Sequence, residues 1–297
     1  MKRLILLMFL AFSFYGCEDT TTQDINETKG STSLINVISD KADINTTDVN
    51  GTQEDSSQVF IDRNETNASQ TQEVLTYTLV IDENFTSYDE SLWMKADWAN
   101  GNPFYSAWCP EQVDINESNL TLSLVTKSCH DKEFASGEYR TLNTYMYGKY
   151  TSRFRASDLN GTISSFFTYT GSAEGTEWDE IDVEILGRDT TKVQLNYWRD
   201  GHEHPKLVEL GFDASLSMHT YSFIFTPEFI EWYVDDTLVH RVDENHLENN
   251  DSLPVNEGKV ILNFWAATGI DSWSGHYEDN TTSSVTYEFV SFEKLND

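Results

Sequence analysis

The chain has 297 residues, 38% of them hydrophobic and 13% aromatic, enough to bury one large core with some chain left over. Its formal net charge of −31 sets it against nucleic acid and anionic lipid headgroups, which repel an acidic surface. A neutral polymer meets no such objection, so an acidic extracellular protein stays open as a class.

Residues 1–17, MKRLILLMFLAFSFYGC, begin with Lys2 and Arg3, run apolar from Leu4 to Tyr15 and end on Gly16 and Cys17. The run is shorter than the roughly 18 residues of a spanning helix, so it predicts a cleaved export signal. A cysteine directly behind a signal core resembles the lipobox of bacterial lipoproteins, although Phe14 and Tyr15 stand where that pattern prefers Leu and a small residue. The expectation is an exported protein anchored to the bacterial envelope by a lipid on Cys17, its sole contact with membrane; secretion after cleavage nearby is the alternative. Residues 18–74 are dominated by Thr, Asn, Asp, Ser and Gln without a sustained apolar period, which predicts a disordered acidic tether.

From residue 75 to 297 the texture changes to one strand-rich domain. Short apolar or alternating runs recur at 75–85, 120–127, 148–157, 162–170, 178–187, 192–201, 219–242, 258–267 and 284–295. Gly, Asn, Asp or Pro separate them, and Asp235-Asp236 mark a hairpin turn inside 219–242. Strands without intervening helices predict an all-β fold, a β-jelly-roll sandwich of two antiparallel sheets with one concave face open as a cleft. With Cys17 set aside, Cys109 and Cys129 form an even pair in an oxidising compartment; a disulfide is expected, with two unpaired buried thiols as the alternative.

The segment WDEIDVEILG at 178–187 places Glu180, Asp182 and Glu184 on alternate positions of a strand, facing one way, while Ile181, Val183 and Ile185 face the other. Three like charges in a row repel one another, so a merely solvated face is a poor account of them. Glutamates four apart on a strand have Cα atoms about 13 Å apart, and side chains leaning inward bring the carboxyls to about 5 Å. That separation suits a nucleophile and an acid/base flanking a glycosidic bond, and Asp182 between them can share a proton with either.

Together with these residues, SSFFTYTG (164–171), RDTTKVQLNYW (188–198), LGFDAS (210–215), HTYSF (219–223), WMKADWANGNPF (93–104), GEYRT (137–141) and ILNFWAATGIDSWSGHY (261–277) resemble the bacterial lichenases. These are endo-β-1,3-1,4-glucanases of glycoside hydrolase family 16, and the resemblance covers roughly residues 82–293. It implies a jelly roll acting on a linear β-glucan, with Glu180 as nucleophile, Glu184 as general acid/base and Asp182 as the assisting carboxylate. It also implies cleft aromatics at Trp178, Phe167 and Tyr169, sugar contacts at Glu138, Arg140, Asn196, Trp198, Trp265 and Trp273, and one more near Asn100.

The plainer readings are a core role for single tryptophans and a structural ion pair between Arg140 and Glu138 across neighbouring strands. The spacing E-I-D-V-E lacks the extra residue of the β-1,3-glucanase branch, which favours lichenases or xyloglucan endotransglycosylases; a non-catalytic glucan-binding lectin is the remaining alternative. The family's two cysteines fall at Ser106 and Ser136 here, and Cys109 with Cys129 would make a shifted bridge. No cofactor is required; a structural Ca²⁺ would fall to Glu288. The triplet HEH at 202–204 sits in an expected loop without an evident third ligand, so it predicts no metal site. The expected partner is polysaccharide, and the expected state a monomer.

Overall fold

The computed structural model of the protein describes residues 75–247, 251–279 and 281–296. The expected export signal, Cys17 and the tether at 18–74 lie outside the described residues.

In chain order the strands are β1 (Tyr77–Glu83), β2 (Trp93–Lys95), β3 (Ser106–Trp108), β4 (Val113–Asn116), β5 (Asn119–Leu124) and β6 (Phe134–Thr141). They continue as β7 (Gly148–Arg155), β8 (Thr162–Thr170), β9 (Asp179–Leu186), β10 (Lys192–Arg199), β11 (His202–Glu203) and β12 (Lys206–Glu209). Then come β13 (His219–Phe225), β14 (Phe229–Val234), β15 (Thr237–Asp243), β16 (Lys259–Ala266), the short helix α1 (Asp271–Ser274) and β17 (Ser283–Leu295).

Period-two patterning makes these strands. In β5, Leu120, Leu122 and Leu124 are wholly buried while Asn119, Thr121 and Ser123 lie at intermediate exposure on the other face. The expected hairpin pairs Val234 with Thr237, and Asp235 and Asp236 take φ of 45° and 62°, the doubly positive turn that matches strand twist.

Two sheets result, as the sequence predicts. One runs β15-β14-β13-β7-β17-β5-β4 with β1 also on β17; the other runs β11-β10-β9-β8-β16-β6-β2, with β12 on β10 and β3 on β6. The strand pairs are antiparallel except β3 with β6.

Aromatic rings fill the space between the sheets. Tyr150 stacks on Phe223 with centroids 4.7 Å apart, and Phe166 from the opposite sheet lies 5.5 Å from the same Phe223 ring. Two polar tips cross the sandwich. Trp232 Nε1 donates to the Asp182 carbonyl at 3.1 Å, and Tyr287 Oη donates to the carbonyls of Ser165 and Asn263 at 2.8 and 3.1 Å. The core therefore holds the backs of β8, β9 and β16, whose front faces form the cleft floor.

The segment between β2 and β3 is braced from outside. Ser106 Oγ and Ser136 Oγ lie 2.7 Å apart on the paired strands β3 and β6, where the family resemblance places cysteines. Cys109 and Cys129 are joined as a disulfide, Cα atoms 6.6 Å apart, and Lys132 Nζ just beyond it donates to the Phe104 carbonyl at 2.8 Å. A buried hydrogen bond thus joins Ser106 and Ser136, and the disulfide expected between Cys109 and Cys129 stands beside it.

Trp232→Phe keeps an aromatic ring but removes the donor to the strand that carries the acidic row. The expected loss is about 1–3 kcal/mol in urea unfolding; a midpoint equal to wild type would deny that bond its structural role.

Candidate active site

Register assembles the site. On β9, Glu180, Asp182 and Glu184 stand opposite Tyr169, Phe167 and Ser165 of β8, and opposite Trp198, Asn196 and Gln194 of β10. From β8 the rows continue to Lys259, Ile261 and Asn263 of β16, and from the last two to Arg140 and Glu138 of β6. Paired residues share a face, so a row from β10 to β6 brings chain-distant residues onto one surface. Neither β8–β9 nor β9–β10 carries a bulge, so the acids keep strict alternation while Ile181, Val183 and Ile185 are buried in the core.

Each acid has its own partner. Trp178 Nε1 donates to Glu180 Oε2 at 2.6 Å, and Gln194 Nε2 donates to Glu184 Oε2 at 3.1 Å. Asp182 hydrogen-bonds Glu180 and accepts from the Trp198 indole. Desolvation raises all three carboxyls. Glu180 is pushed up to about 7, with Trp178 and Asp182 working against the rise. Glu184 is pushed up to about 8 by burial and then by the charge of Glu180, with Gln194 opposing. Asp182 lies well above the usual carboxylate range, through burial and then the charges of Glu180 and Glu184. These causes favour the protonated Asp182, whose O–H can hydrogen-bond Glu180, and that bond favours ionising Glu180 ahead of Glu184.

Trp178 and Trp198 stack with centroids 4.1 Å apart and planes 12° from parallel, forming one wall of apolar faces whose N–H groups serve the acids. Phe167 and Tyr169 lie beside the acids on β8 as the alternation requires. Trp265 is only 6% exposed and packs on Phe104 at 4.3 Å, so much of it belongs to an apolar cluster with Trp108 and Ile163. Asn196 uses Oδ1 to accept from the His204 backbone at 2.8 Å, and Trp273 gives its N–H to Gln194 Oε1 at 2.8 Å. Asn100 lies at intermediate exposure in the loop after β2, two residues past Trp98, whose ring lies 5.5 Å from the Arg140 guanidinium.

At the β6 side, Arg140 pairs with Glu138 at 3.4 Å, but on the same strand rather than across neighbouring ones: two apart, they share the concave face. Arg140 also reaches Glu174 of the β8–β9 loop at 3.4 Å, and Asn263 Nδ2 donates to Glu138 at 3.4 Å. Arg140 Nε, Glu174 Oε2 and Asn263 Oδ1 are buried without a protein partner. Unpaired donors and acceptors grouped on a cleft wall suit a ligand rich in hydroxyls, since a hydroxyl both gives and takes.

Gln194, Asn263, Trp98 and Glu174 were not picked out from sequence. Gln194 and Asn263 had a usable signal, each lying two residues before a chosen site residue on its own strand; Glu174, in a loop, had none.

Asp179 is the fourth acid of the segment and serves the scaffold. It accepts from Arg199 Nη1 at 3.1 Å, from the Asp200 backbone at 3.2 Å, and from the backbones of Val255 and Asn256 at 2.8 and 3.0 Å.

The residues do not fit calcium at Glu288, whose carboxylate takes the Arg153 guanidinium at 2.6 Å. Among the described residues no group of three or more His, Cys, Asp or Glu could hold a metal. The HEH triplet departs from the expected loop: His202 and Glu203 form β11, while His204 pairs with Asp251 and stacks on Tyr197.

Comparison with known proteins agrees with this geometry. The model for "Glycosyl hydrolases family 16" matches residues 100–289. A "Beta-glucanase" of Paenibacillus polymyxa is 42% identical over 213 residues, 71% of this chain and 86% of that protein. A "Beta-glucanase" of Acetivibrio thermocellus is 42% identical over 209 residues, 70% of this chain, which spans only 60% of that longer protein. A solved prokaryotic beta-1,3-1,4-glucanase (lichenase) from a mouse hindgut metagenome superposes with a TM-score of 0.67 at 40% identity, over 71% of this chain and 97% of that one. A carboxylate row in a concave β-sheet cleft, matched across most of the fold by these relatives, means that the chain belongs to glycosyl hydrolase family 16.

Proposed function

We propose that this protein is a retaining endo-β-1,3-1,4-glucanase. The reading rests on one observation above the others: Glu180, Asp182 and Glu184 form an unbulged row on the cleft floor, with two donors on Glu180 and one on Glu184, so that Glu180 ionises ahead of Glu184. Relatives named beta-glucanase or lichenase support the substrate class.

In the first step Glu180 attacks the anomeric carbon, and a glycosyl ester forms as the bond to the departing sugar oxygen breaks. Glu184 gives that oxygen its proton. Glu184, now a carboxylate, takes a proton from water, whose oxygen attacks the anomeric carbon and releases Glu180. Asp182 lends its hydrogen bond to Glu180 while that carboxylate is ionised. The Trp178–Trp198 wall offers an apolar face to the C–H faces of glucose, and Arg140, Glu174 and Asn263 offer polar atoms to its hydroxyls.

The full chain should release oligosaccharides from mixed-linkage β-1,3-1,4-glucan in preference to β-1,3-glucan or xyloglucan. Glu180→Gln and Glu184→Gln should each lower kcat by about 10³-fold or more. Preference for another polymer would overturn the substrate, and an active Glu180→Gln the mechanism.

The working form has Glu180 ionised and Glu184 protonated. Activity should rise as pH passes about 7, where Glu180 loses its proton, and fall beyond about 8, where Glu184 loses its own. A flat kcat/KM profile from pH 5 to 9 would contradict that assignment.

We also propose export and lipid anchoring at Cys17, on the strength of the basic start, the short apolar run and the cysteine behind it. Palmitate label should enter the wild type and not Cys17→Ala; label retained in the variant would remove the assignment.

A further inference from the structure

The acid/base carboxylate has a chain of supports behind it. An indole N–H can only donate, whereas a carboxamide has a donor end and an acceptor end. Trp273 Nε1 donates to Gln194 Oε1 at 2.8 Å. That bond decides which way the Gln194 amide points. Its nitrogen is turned to Glu184, where Nε2 donates to Oε2 at 3.1 Å. The two ends of a free glutamine amide exchange by simple rotation; this one is keyed by an indole that cannot accept.

Trp273 is itself clamped. Arg188 Nη1 donates to the carbonyls of Ser272 and Trp273, the latter at 2.9 Å, and the Trp273 backbone N–H donates to the Ile270 carbonyl at 2.8 Å. Arg188 follows β9 by two residues. The strand that carries Glu184 thus grips the helix whose tryptophan orients the glutamine that faces Glu184. The ring closes through β9, β10 and α1.

We propose that Gln194 and Trp273 are positioning residues for Glu184: Trp273 fixes the Gln194 amide so that Glu184 carries its acidic proton on Oε1, the oxygen Gln194 does not engage. A carboxylic acid accepts best at its carbonyl oxygen, so an N–H held on Oε2 leaves the proton to Oε1. This rests on the glucanase reading for the identity of the acid, and assigns Trp273 a role other than the sugar contact that resemblance implies.

The groups facing Glu184 are Glu180 and Asp182 on its own strand, Glu203 on β11, Gln194 on β10 and the neutral Ser165 on β8. The acids disfavour a charged Glu184, and the Gln194 amide opposes them. Releasing the amide to rotate removes that donor, or presents its carbonyl, and either change favours the protonated form.

The test uses the full chain with Trp273→Phe, which keeps a ring beside Trp265 and lacks the N–H, and with Gln194→Leu. Two readouts are taken: the pH dependence of kcat and KM on mixed-linkage β-glucan, and the ¹³C titration of the Glu184 carboxyl, assigned with Glu184→Gln. In both variants the Glu184 midpoint and the alkaline limb should move up by about one pH unit, and kcat should fall about tenfold while KM stays within about twofold. A raised KM with an unmoved Glu184 midpoint would make Trp273 a sugar contact and overturn the proposal. If Trp273→Phe does not fold, Gln194→Leu carries the same expectation. If the wild type leaves β-glucan intact, the glucanase reading fails; the ¹³C titration, which needs no substrate, still decides whether Trp273 and Gln194 set the state of Glu184.

Discussion

A side chain on a pleated strand points to one of two faces, and everything at this site depends on that choice being kept without a slip across five neighbouring strands. One extra residue in β9 ahead of Glu184, taken up without a bulge, would turn Glu184 toward Trp232 and the core and carry Ile185 to the cleft, and the same slip in β8 or β10 would turn away Tyr169 and Phe167, or Trp198 and Asn196. The register holds because the reverse face leaves no alternative. Ile181, Val183 and Ile185 fill the sandwich, while Trp232 and Tyr287 reach across it to bond the floor strands from behind. Aliphatic packing thus fixes where the carboxylates stand.

That placement works against the fold's own stability. Burial raises all three acids, so ionising any of them costs more here than in the unfolded chain. Folded-state pKa values lie above the unfolded ones, so the protonated forms stabilise the fold and that contribution is lost as pH rises from the ordinary carboxylate range through about 7 to 8. The surroundings reduce the cost unevenly. Glu180 accepts an indole N–H and a hydrogen bond from Asp182, whereas Glu184 accepts one amide donor. Unequal support sets two chemically identical groups apart, and the proposed division between nucleophile and acid rests on that difference.

The tryptophans do more than line the cleft. Trp178 and Trp198 present stacked faces while their N–H groups serve Glu180 and Asp182; Trp273 sends its N–H to the glutamine behind Glu184. The rim has been rebuilt with the same economy of means. Ser106 and Ser136 bond at the positions where the family resemblance places cysteines, and the expected disulfide between Cys109 and Cys129 braces the neighbouring turn. Glu288, the acid to which a structural calcium would fall, pairs with Arg153.

Sequence alone determined what depends on local periodicity. Alternation in WDEIDVEILG, FFTYT and NYW set the faces of Glu180, Asp182, Glu184, Phe167, Tyr169, Asn196 and Trp198, because a strand's two-residue repeat is a property of its own backbone. The two-sheet class followed from strand-length runs without helical period, and the doubly acidic turn at Asp235-Asp236 was legible for the same reason. Tertiary structure decided what depends on which strands become neighbours and where a loop ends. Glu174 on Arg140, Trp273 on Gln194 and Arg188 on α1 join positions 34, 79 and 85 residues apart, and no local repeat encodes such a distance. It also decided that Asp179, alike in sequence to the acids beside it, turns away to anchor Val255 and Asn256. A side chain's face is fixed by its own strand, but its partner is fixed only when the whole sandwich closes.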